Sequence, residues 1–275
     1  MKERQRLLGN EKDPILGGEK VAGSDGRILC PACKSRTTYK LGDGRKKCKR
    51  CGKKFSRGSR KPRISKTILK EIVRLFWLMV PAERAARDLG VNRKTVLSHY
   101  TRLRTVLRNE CDNETEPMKG EVEVDESYFG GYRKGIRGRG AAAKIPVFGL
   151  LKRKGQVRVI FPSRLDKKTL QQEIKDHVVP QSWVYSDGYR AYDKLDLEGF
   201  HHVRIDHSST LGKGRSHING IENFWGFAKR RLKMYHGGWK RNFRLFLKEM
   251  EFRFNHGNEP DIIDRLYRRV LAGPV

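Results

Sequence analysis

Three acidic residues and one lysine have the types and spacing that metal-dependent phosphodiester chemistry requires. The alternating segment that ends at Asp125 and the segment that ends at Asp187 are both predicted strands, followed by glycine-containing turns. Glu222 and Lys229 are seven positions apart in a predicted long helix, so both project from one face. Carboxylates that converge from separate elements can hold two Mg²⁺ or Mn²⁺ ions, which activate an attacking oxygen and stabilise a leaving one.

Each of these acids also has an ordinary structural explanation. An acid at a strand end is often a turn former, and Glu222 alone would be a solvated helix residue. Glu126 is the rival for Asp125, although strand alternation puts it on the opposite face, and Asn219 is a weaker rival for Glu222. The combination of strand order, spacing and the lysine favours Asp125, Asp187 and Glu222 as metal ligands.

Two CxxC pairs, separated by fourteen residues, predict a second kind of metal site. Each pair presents two thiolates from a tight turn, so two pairs can surround one structural Zn²⁺. A segment of about thirty residues has too small a core to fold unaided, and metal binding would supply the folding energy. A redox pair or chance cysteines are the alternatives. The four ligands would be Cys30, Cys33, Cys48 and Cys51.

The segment from Ala82 to Val96 predicts two helices joined at Gly90, the pattern of a helix-turn-helix. Asn92 is suited to cap the second helix, which would expose Arg93 and Lys94 toward a DNA major groove. A helical hairpin that only packs is the alternative.

The formal net charge of +30 indicates a polyanionic partner, with nucleic acid first among the candidates. Apolar stretches are too short to span a membrane, and the charged N-terminal residues do not resemble a secretory signal. We therefore expect no membrane association and a cytoplasmic, nucleoid-associated protein.

After residue 119, the sequence pattern predicts three strands, a helix, a strand, a short helix, a strand and then long helices. We assign a loose leader (1–27), a zinc ribbon (28–60), a helix-turn-helix domain (64–110), an α/β catalytic domain (119–260) and a C-terminal tail (261–275).

The chain resembles bacterial insertion-sequence transposases of the ISXO-like group, which are related to the eukaryotic Merlin transposases. The resemblance covers roughly residues 28–255 and implies a ribonuclease H-like catalytic fold with a DDE site at Asp125, Asp187 and Glu222. Some members have Asn at the third position. The matching segments are the cysteine pairs, Val124-Asp-Glu-Ser-Tyr-Phe-Gly-Gly131, Arg137-Gly-Arg-Gly140, Lys144-Ile-Pro-Val-Phe-Gly149, Ser186-Asp-Gly-Tyr-Arg-Ala-Tyr192, His217-Ile-Asn-Gly-Ile-Glu-Asn-Phe-Trp225 and Glu251-Phe-Arg-Phe-Asn255.

The resemblance implies an enzyme that binds the terminal inverted repeats, hydrolyses the element ends and joins the 3′-hydroxyl strands to target DNA. It also implies a homodimer or higher oligomer on double-stranded DNA. A metal-dependent nuclease without strand transfer and a non-catalytic DNA-binding regulator remain alternatives. A basic loop after the first strand is interpreted as a clamp on the DNA backbone, through Arg133, Lys134, Arg137 and Arg139. Trp225 is expected to pack, with stacking on an unpaired base as the alternative.

Overall fold

The computed structural model describes residues 29–55, 64–130, 144–187, 199–205 and 217–272. The first range holds a small three-stranded antiparallel sheet, and the second begins with a group of helices. The strands of the small sheet are β1 (Thr38–Lys40), β2 (Lys46–Cys48) and β3 (Lys54–Phe55), and the helices are α1 (Lys66–Trp77), α2 (Ala82–Leu89) and α3 (Arg93–Asn113).

A five-stranded mixed sheet with helices on both faces accounts for most of the other described residues. Its strand order is β6-β5-β4-β7-β8, with antiparallel pairing among β4, β5 and β6 and parallel pairing among β4, β7 and β8. The elements that follow α3 are, in chain order, β4 (Glu121–Phe129), β5 (Ile145–Lys152), β6 (Val157–Ile160), α4 (Lys167–His177), β7 (Trp183–Asp187), β8 (His201–Ile205), α5 (Asn219–Lys233), a 3₁₀ turn (Lys240–Asn242), α6 (Phe243–His256) and α7 (Ile262–Ala272).

Alternation along β4 divides the core into two layers. Val122 and Val124 point to one face, where they pack with Leu170 and Ile174 of α4. Phe129 points to the other face, where α5 and α6 cover the sheet. The mixed α/β architecture expected from the sequence is confirmed.

Side-chain hydrogen bonds cap the first turns of several helices. The Ser65 hydroxyl accepts the Ile68 N–H at the start of α1, and the Asp166 carboxylate accepts the Thr169 N–H at the start of α4. The α3 helix continues to Asn113, past residue 110, at which the helix-turn-helix domain is predicted to end. It continues because Cys111 is buried one turn after Leu107.

The C-terminal tail also differs from the expectation, because it contains helix α7. Leu266 and Val270 pack into the same core as α1 and α3, and Arg102 of α3 donates a 2.6 Å hydrogen bond to the Val270 carbonyl. The α7 helix therefore completes the helical group. No helix in the described part of the chain is long and apolar enough to cross a membrane.

Candidate active site

Two of the predicted acids meet where neighbouring parallel strands run side by side. The β4–β7 ladder pairs Val124 with Ser186, so Asp125 and Asp187 come next on the two strands. Their carboxylate oxygens and that of Glu126 all lie within 4.8 Å of one another. The prediction that Asp125 ends its strand is wrong: β4 continues to Phe129, because β5 pairs with it over that whole length.

Glu126 belongs to this cluster, although alternation assigns its Cβ to the opposite face. The last parallel pair between β4 and β7 is Val124–Ser186, which precedes Asp125. Beyond that pair, β7 does not lie between the carboxylates of Glu126 and Asp187. A Glu side chain is long enough to reach around the strand there. The sequence named Glu126 only as a rival, and the end of the neighbouring strand is what brings its carboxylate to the other two.

Burial and the crowding of negative charge together determine the electrostatics of the cluster. The pKa of Asp125 is raised to about 8, first by burial and in addition by the nearby charges of Asp187, Glu126 and Glu222. The chain thus holds several carboxylates in a partly buried position where they repel one another. A bound divalent cation would relieve this repulsion, so the donor set fits Mg²⁺ or Mn²⁺, which prefer carboxylate oxygen.

Glu222 approaches the cluster from α5, near the N-terminus of that helix. Its carboxylate is exposed and near enough to affect the pKa of Asp125, but it is outside the group within 4.8 Å. Gly149, the β5 partner of Asp125, allows α5 to approach the sheet closely. A Cβ at this glycine would lie 2.5 Å from Trp225 Cζ2, so only glycine fits. Trp225 is buried, as the packing interpretation predicts.

Lys229 lies on the cluster side of α5. Its ammonium is 5.7 Å from the centre of the Phe129 ring. Burial lowers the pKa of Lys229, and the charge of Asp125 opposes that shift, which places the ammonium in the field of the acid cluster. A cation in this position can hold a phosphate beside the carboxylates.

The four cysteines form a separate cluster. The Sγ atoms of Cys30 and Cys51 are 3.5 Å apart, and those of Cys33 and Cys48 are 3.6 Å apart. A tetrahedral zinc with Zn–S bonds of ~2.3 Å has S···S edges of about 3.8 Å, so the donor set is compatible with a zinc ribbon. The Cys51 backbone N–H lowers the pKa of Cys48 to about 6, which favours the thiolate that metals bind.

The two halves of this cluster repeat one backbone pattern. The Lys34 N–H bonds the Cys30 carbonyl at 2.9 Å, and the Gly52 N–H bonds the Cys48 carbonyl at 3.0 Å. Both donors have positive φ, +54° at Lys34 and +72° at Gly52. Two similar turns therefore present two sulfurs each to one centre.

The helix pair predicted to bind DNA has the expected local geometry. Gly90 ends α2 with φ +63°, and the Asn92 side chain accepts the Lys94 N–H at 2.8 Å to begin α3. Arg93 and Lys94 are both exposed, and Arg93 forms a 2.9 Å ion pair with Glu83 of α2. The basic residues of the proposed clamp lie outside the described residues: Arg133, Lys134, Arg137 and Arg139.

A third group of polar residues protects the edge of the sheet. The Asn255 side chain accepts the N–H of Val157 and donates to its carbonyl, both at 2.9 Å. The Glu251 carboxylate accepts the Val159 N–H at 3.1 Å. These side chains bond β6 as a neighbouring strand would, which gives the Glu251–Asn255 motif a structural role that the sequence did not reveal.

Comparison with known proteins identifies the family. Residues 117–255 match the ISXO2-like transposase domain, which covers half of the chain, and the chain belongs to that family. This region includes the acid cluster, all five strands of the sheet and nearly all of the helices that cover it.

Two relatives and one solved structure give the breadth of the similarity. An uncharacterized transposase-like protein of Haemophilus influenzae is 43% identical over 103 residues, which span 38% of this chain and 84% of that protein. An uncharacterized protein in transposable element ISH50 of Halobacterium salinarum is 26% identical over 253 residues, 82% of this chain and 85% of that one. The Mos1 strand transfer complex is 13% identical with a TM-score of 0.25, over 79% of this chain and 80% of that chain.

Proposed function

We propose that this protein is a DNA transposase that binds the terminal inverted repeats of an insertion sequence, hydrolyses the element ends and transfers the 3′-hydroxyl strands into target DNA. The observation that carries the proposal is the convergence of Asp125 and Asp187 at adjacent strands, in a chain that belongs to a transposase family. The net charge of +30 supports a DNA partner.

The proposed catalytic residues are Asp125, Asp187 and Glu222, which would hold two Mg²⁺ or Mn²⁺ ions. Such ions would activate the attacking oxygen and stabilise the leaving oxygen of the phosphodiester. The proximity of Glu126 supports a further oxygen ligand from this residue, and the effect of Glu222 on Asp125 supports its place at the same centre.

Lys229 would bind the phosphate that flanks the scissile bond. Its ammonium lies near Asp125 and is partly withdrawn from solvent, so it can offset phosphate charge while the carboxylates hold the metals. The proposal implies no covalent intermediate between the enzyme and DNA. Water attacks first, and the released 3′-hydroxyl attacks second.

The remaining modules would bind and align the DNA. We propose a zinc ribbon in residues 28–60, with Zn²⁺ on the four cysteines, and a helix-turn-helix in residues 64–110 whose Arg93 and Lys94 contact the major groove. Residues 119–260 would form a ribonuclease H-like domain, and the strand order β6-β5-β4-β7-β8 supports this. Arg133, Lys134, Arg137 and Arg139 would clamp the DNA backbone. Because two element ends are joined together, the protein would act as a homodimer or a higher oligomer.

The test is a cleavage and strand-transfer assay on DNA with the flanking element ends, in Mg²⁺ or Mn²⁺. Asp187→Asn keeps the side-chain shape and removes the charge. Asp176→Asn, an exposed acid on α4, is the matched control. We expect metal-dependent joining in wild type and control, and none in Asp187→Asn. Cleavage without joining would instead identify a nuclease, and DNA binding without cleavage would identify a regulator.

A further inference from the structure

The helix that carries Glu222 is attached to β4 by a buried carboxylate. Glu123, only 1% exposed, uses Oε2 to accept the backbone N–H of Ile221 at 2.9 Å. Ile221 directly precedes Glu222 in the first turn of α5. The N–H groups of a first helical turn have no partner within the helix, and the positive end of the helix dipole favours an acid there. Glu123 therefore fixes the part of α5 from which Glu222 projects.

Arg153 extends this attachment to two further segments. Its Nε donates to Glu123 Oε1 at 3.0 Å, and a terminal nitrogen donates to the carbonyl of His217, just before α5. Its guanidinium lies over the Tyr185 ring, 3.8 Å from the ring centre. One arginine thus links β4, the approach to α5, and the β7 strand that ends at Asp187.

Gly220 permits the close approach between Glu123 and the helix. A Cβ at Gly220 would lie 2.8 Å from Glu123 Oε2 and 2.9 Å from Leu151 Cδ2. The added atom would fit only if the helix or these side chains moved. A glycine in the first turn of a helix lowers intrinsic helix stability, so its presence here is explained by this contact.

We propose that Glu123 and Arg153 are positioning residues, which hold the first turn of α5 against β4 and thereby set the position of Glu222 relative to Asp125. Glu123 and Asp125 lie two positions apart on the same face of β4, so the strand that carries one acid also anchors the helix that carries another. The inference rests on the proposed function, in which both acids hold metal ions.

The principal variant is Glu123→Gln, because a glutamine amide presents one acceptor and one donor to two N–H donors. It would lose one of the two bonds, and the first turn of α5 would loosen. We expect the half-saturating Mn²⁺ concentration of the zinc-loaded full chain, measured by the electron paramagnetic resonance signal of free Mn²⁺, to rise about 10- to 100-fold. Hydrogen exchange of the amides in residues 219–224 should become faster.

Glu251→Gln is the matched control. Glu251 is also 1% exposed and also accepts one backbone N–H and one cation, those of Val159 and Lys248. Its hydrogen bonds go to β6 and to Lys248 of α6, so the control should lower thermal stability without changing Mn²⁺ affinity. Gly220→Ala is a second variant, which places a methyl group between the helix and Glu123 while keeping the Glu123 and Arg153 side chains in the sequence. It should weaken Mn²⁺ binding in the same direction, and it keeps the test available if Glu123→Gln does not fold.

Different failures would have different signatures. Wild-type Mn²⁺ affinity in Glu123→Gln and Gly220→Ala, with unchanged exchange in residues 219–224, would overturn the positioning role. Equal weakening in Glu251→Gln would also overturn it, because the cause would then be general destabilisation. If wild type and Asp187→Asn bind Mn²⁺ equally, the metal site of the proposed function itself is wrong, and the positioning role is rejected with it.

Discussion

Replacing Asp125 with Asn should stabilise the metal-free protein while abolishing its stabilisation by metal. Burial and the neighbouring charges of Asp187, Glu126 and Glu222 raise the pKa of Asp125 from 3.8 to about 8. The folded chain therefore binds this proton more tightly than the unfolded chain does. The stability of the wild-type fold consequently falls as pH rises from about 4 and becomes constant above about 8.

The magnitude follows from the difference between the two pKa values. Between pH 4 and pH 7 the wild-type chain loses at most about 4 kcal/mol of unfolding free energy through this group, at about 1.36 kcal/mol per pH unit. Asn has no proton to bind or release, so Asp125→Asn should be more stable than wild type at pH 7 in EDTA. At about 2–4 °C per kcal/mol, the unfolding temperature should rise by at most roughly 8–16 °C.

The assay is thermal unfolding at pH 5, 6, 7 and 8, in EDTA and in Mn²⁺, with Asp176→Asn as an exposed control. Mn²⁺ at about 100 times its Kd should stabilise wild type by about 2.7 kcal/mol and leave Asp125→Asn unchanged. The reasoning is refuted if Asp125→Asn unfolds at a lower temperature than wild type in EDTA, or if both proteins show the same pH dependence between pH 5 and 8.

Three further predictions concern the metal-binding segment and the packing. Cys48→Ser should release zinc and unfold residues 29–55, which a zinc assay with proteolysis of that segment would detect; continued protection would contradict a structural metal. Gly149→Ala should lower stability by about 1–3 kcal/mol, since its Cβ would meet Trp225 at 2.5 Å, whereas Gly42→Ala has no neighbour within 4 Å and should be nearly neutral in denaturant unfolding. Arg253→Met should lower the free energy of unfolding by about 3–5 kcal/mol. The change breaks the buried ion pair with Glu249 on the same helix and leaves two carbonyls of α1 without a donor. A loss below 1 kcal/mol would show that the network contributes little.

Much of the secondary structure could be predicted because its signals are local. Ser65, Asn92 and Asp166 are short polar side chains that precede apolar helical patterns, and each one accepts a backbone N–H in the first turn of its helix. The strands at 145–152 and 183–187 are compact apolar runs between turn signals. In each case, the information lies within a few residues of the boundary.

The errors arise where distant contacts decide the structure. Asp125 was expected at a strand end because Gly130 follows soon after, but pairing with Ile145 extends β4 to Phe129. Local patterns predict a tail at 261–275, whereas the apolar residues of α7 find their partners in α1 and α3, far earlier in the chain; Arg102 and Val270, which share a hydrogen bond, are 168 positions apart. Local periodicity cannot identify such partners.

The candidate site shows the same division between local and distant information. The sequence could select carboxylates near predicted turns, but it could not establish that Glu126 joins Asp125 and Asp187, because that depends on where β7 stops. Nor could it assign Glu123, whose acceptor role depends on the approach of α5 to the sheet.

Helix α6 explains how a site of this kind remains fixed relative to the helical group. Its buried Glu249 pairs with Arg104 of α3 at 2.6 Å and with Arg253 at 2.8 Å. Two positions later on the same helix, Glu251 bonds the edge strand β6. One helix is therefore joined by buried, charged hydrogen bonds to α3 on one side and to the sheet on the other. Because a buried carboxylate that loses its partner is costly, any displacement of α3 from the sheet has to break these bonds, and the two parts of the described chain should unfold together.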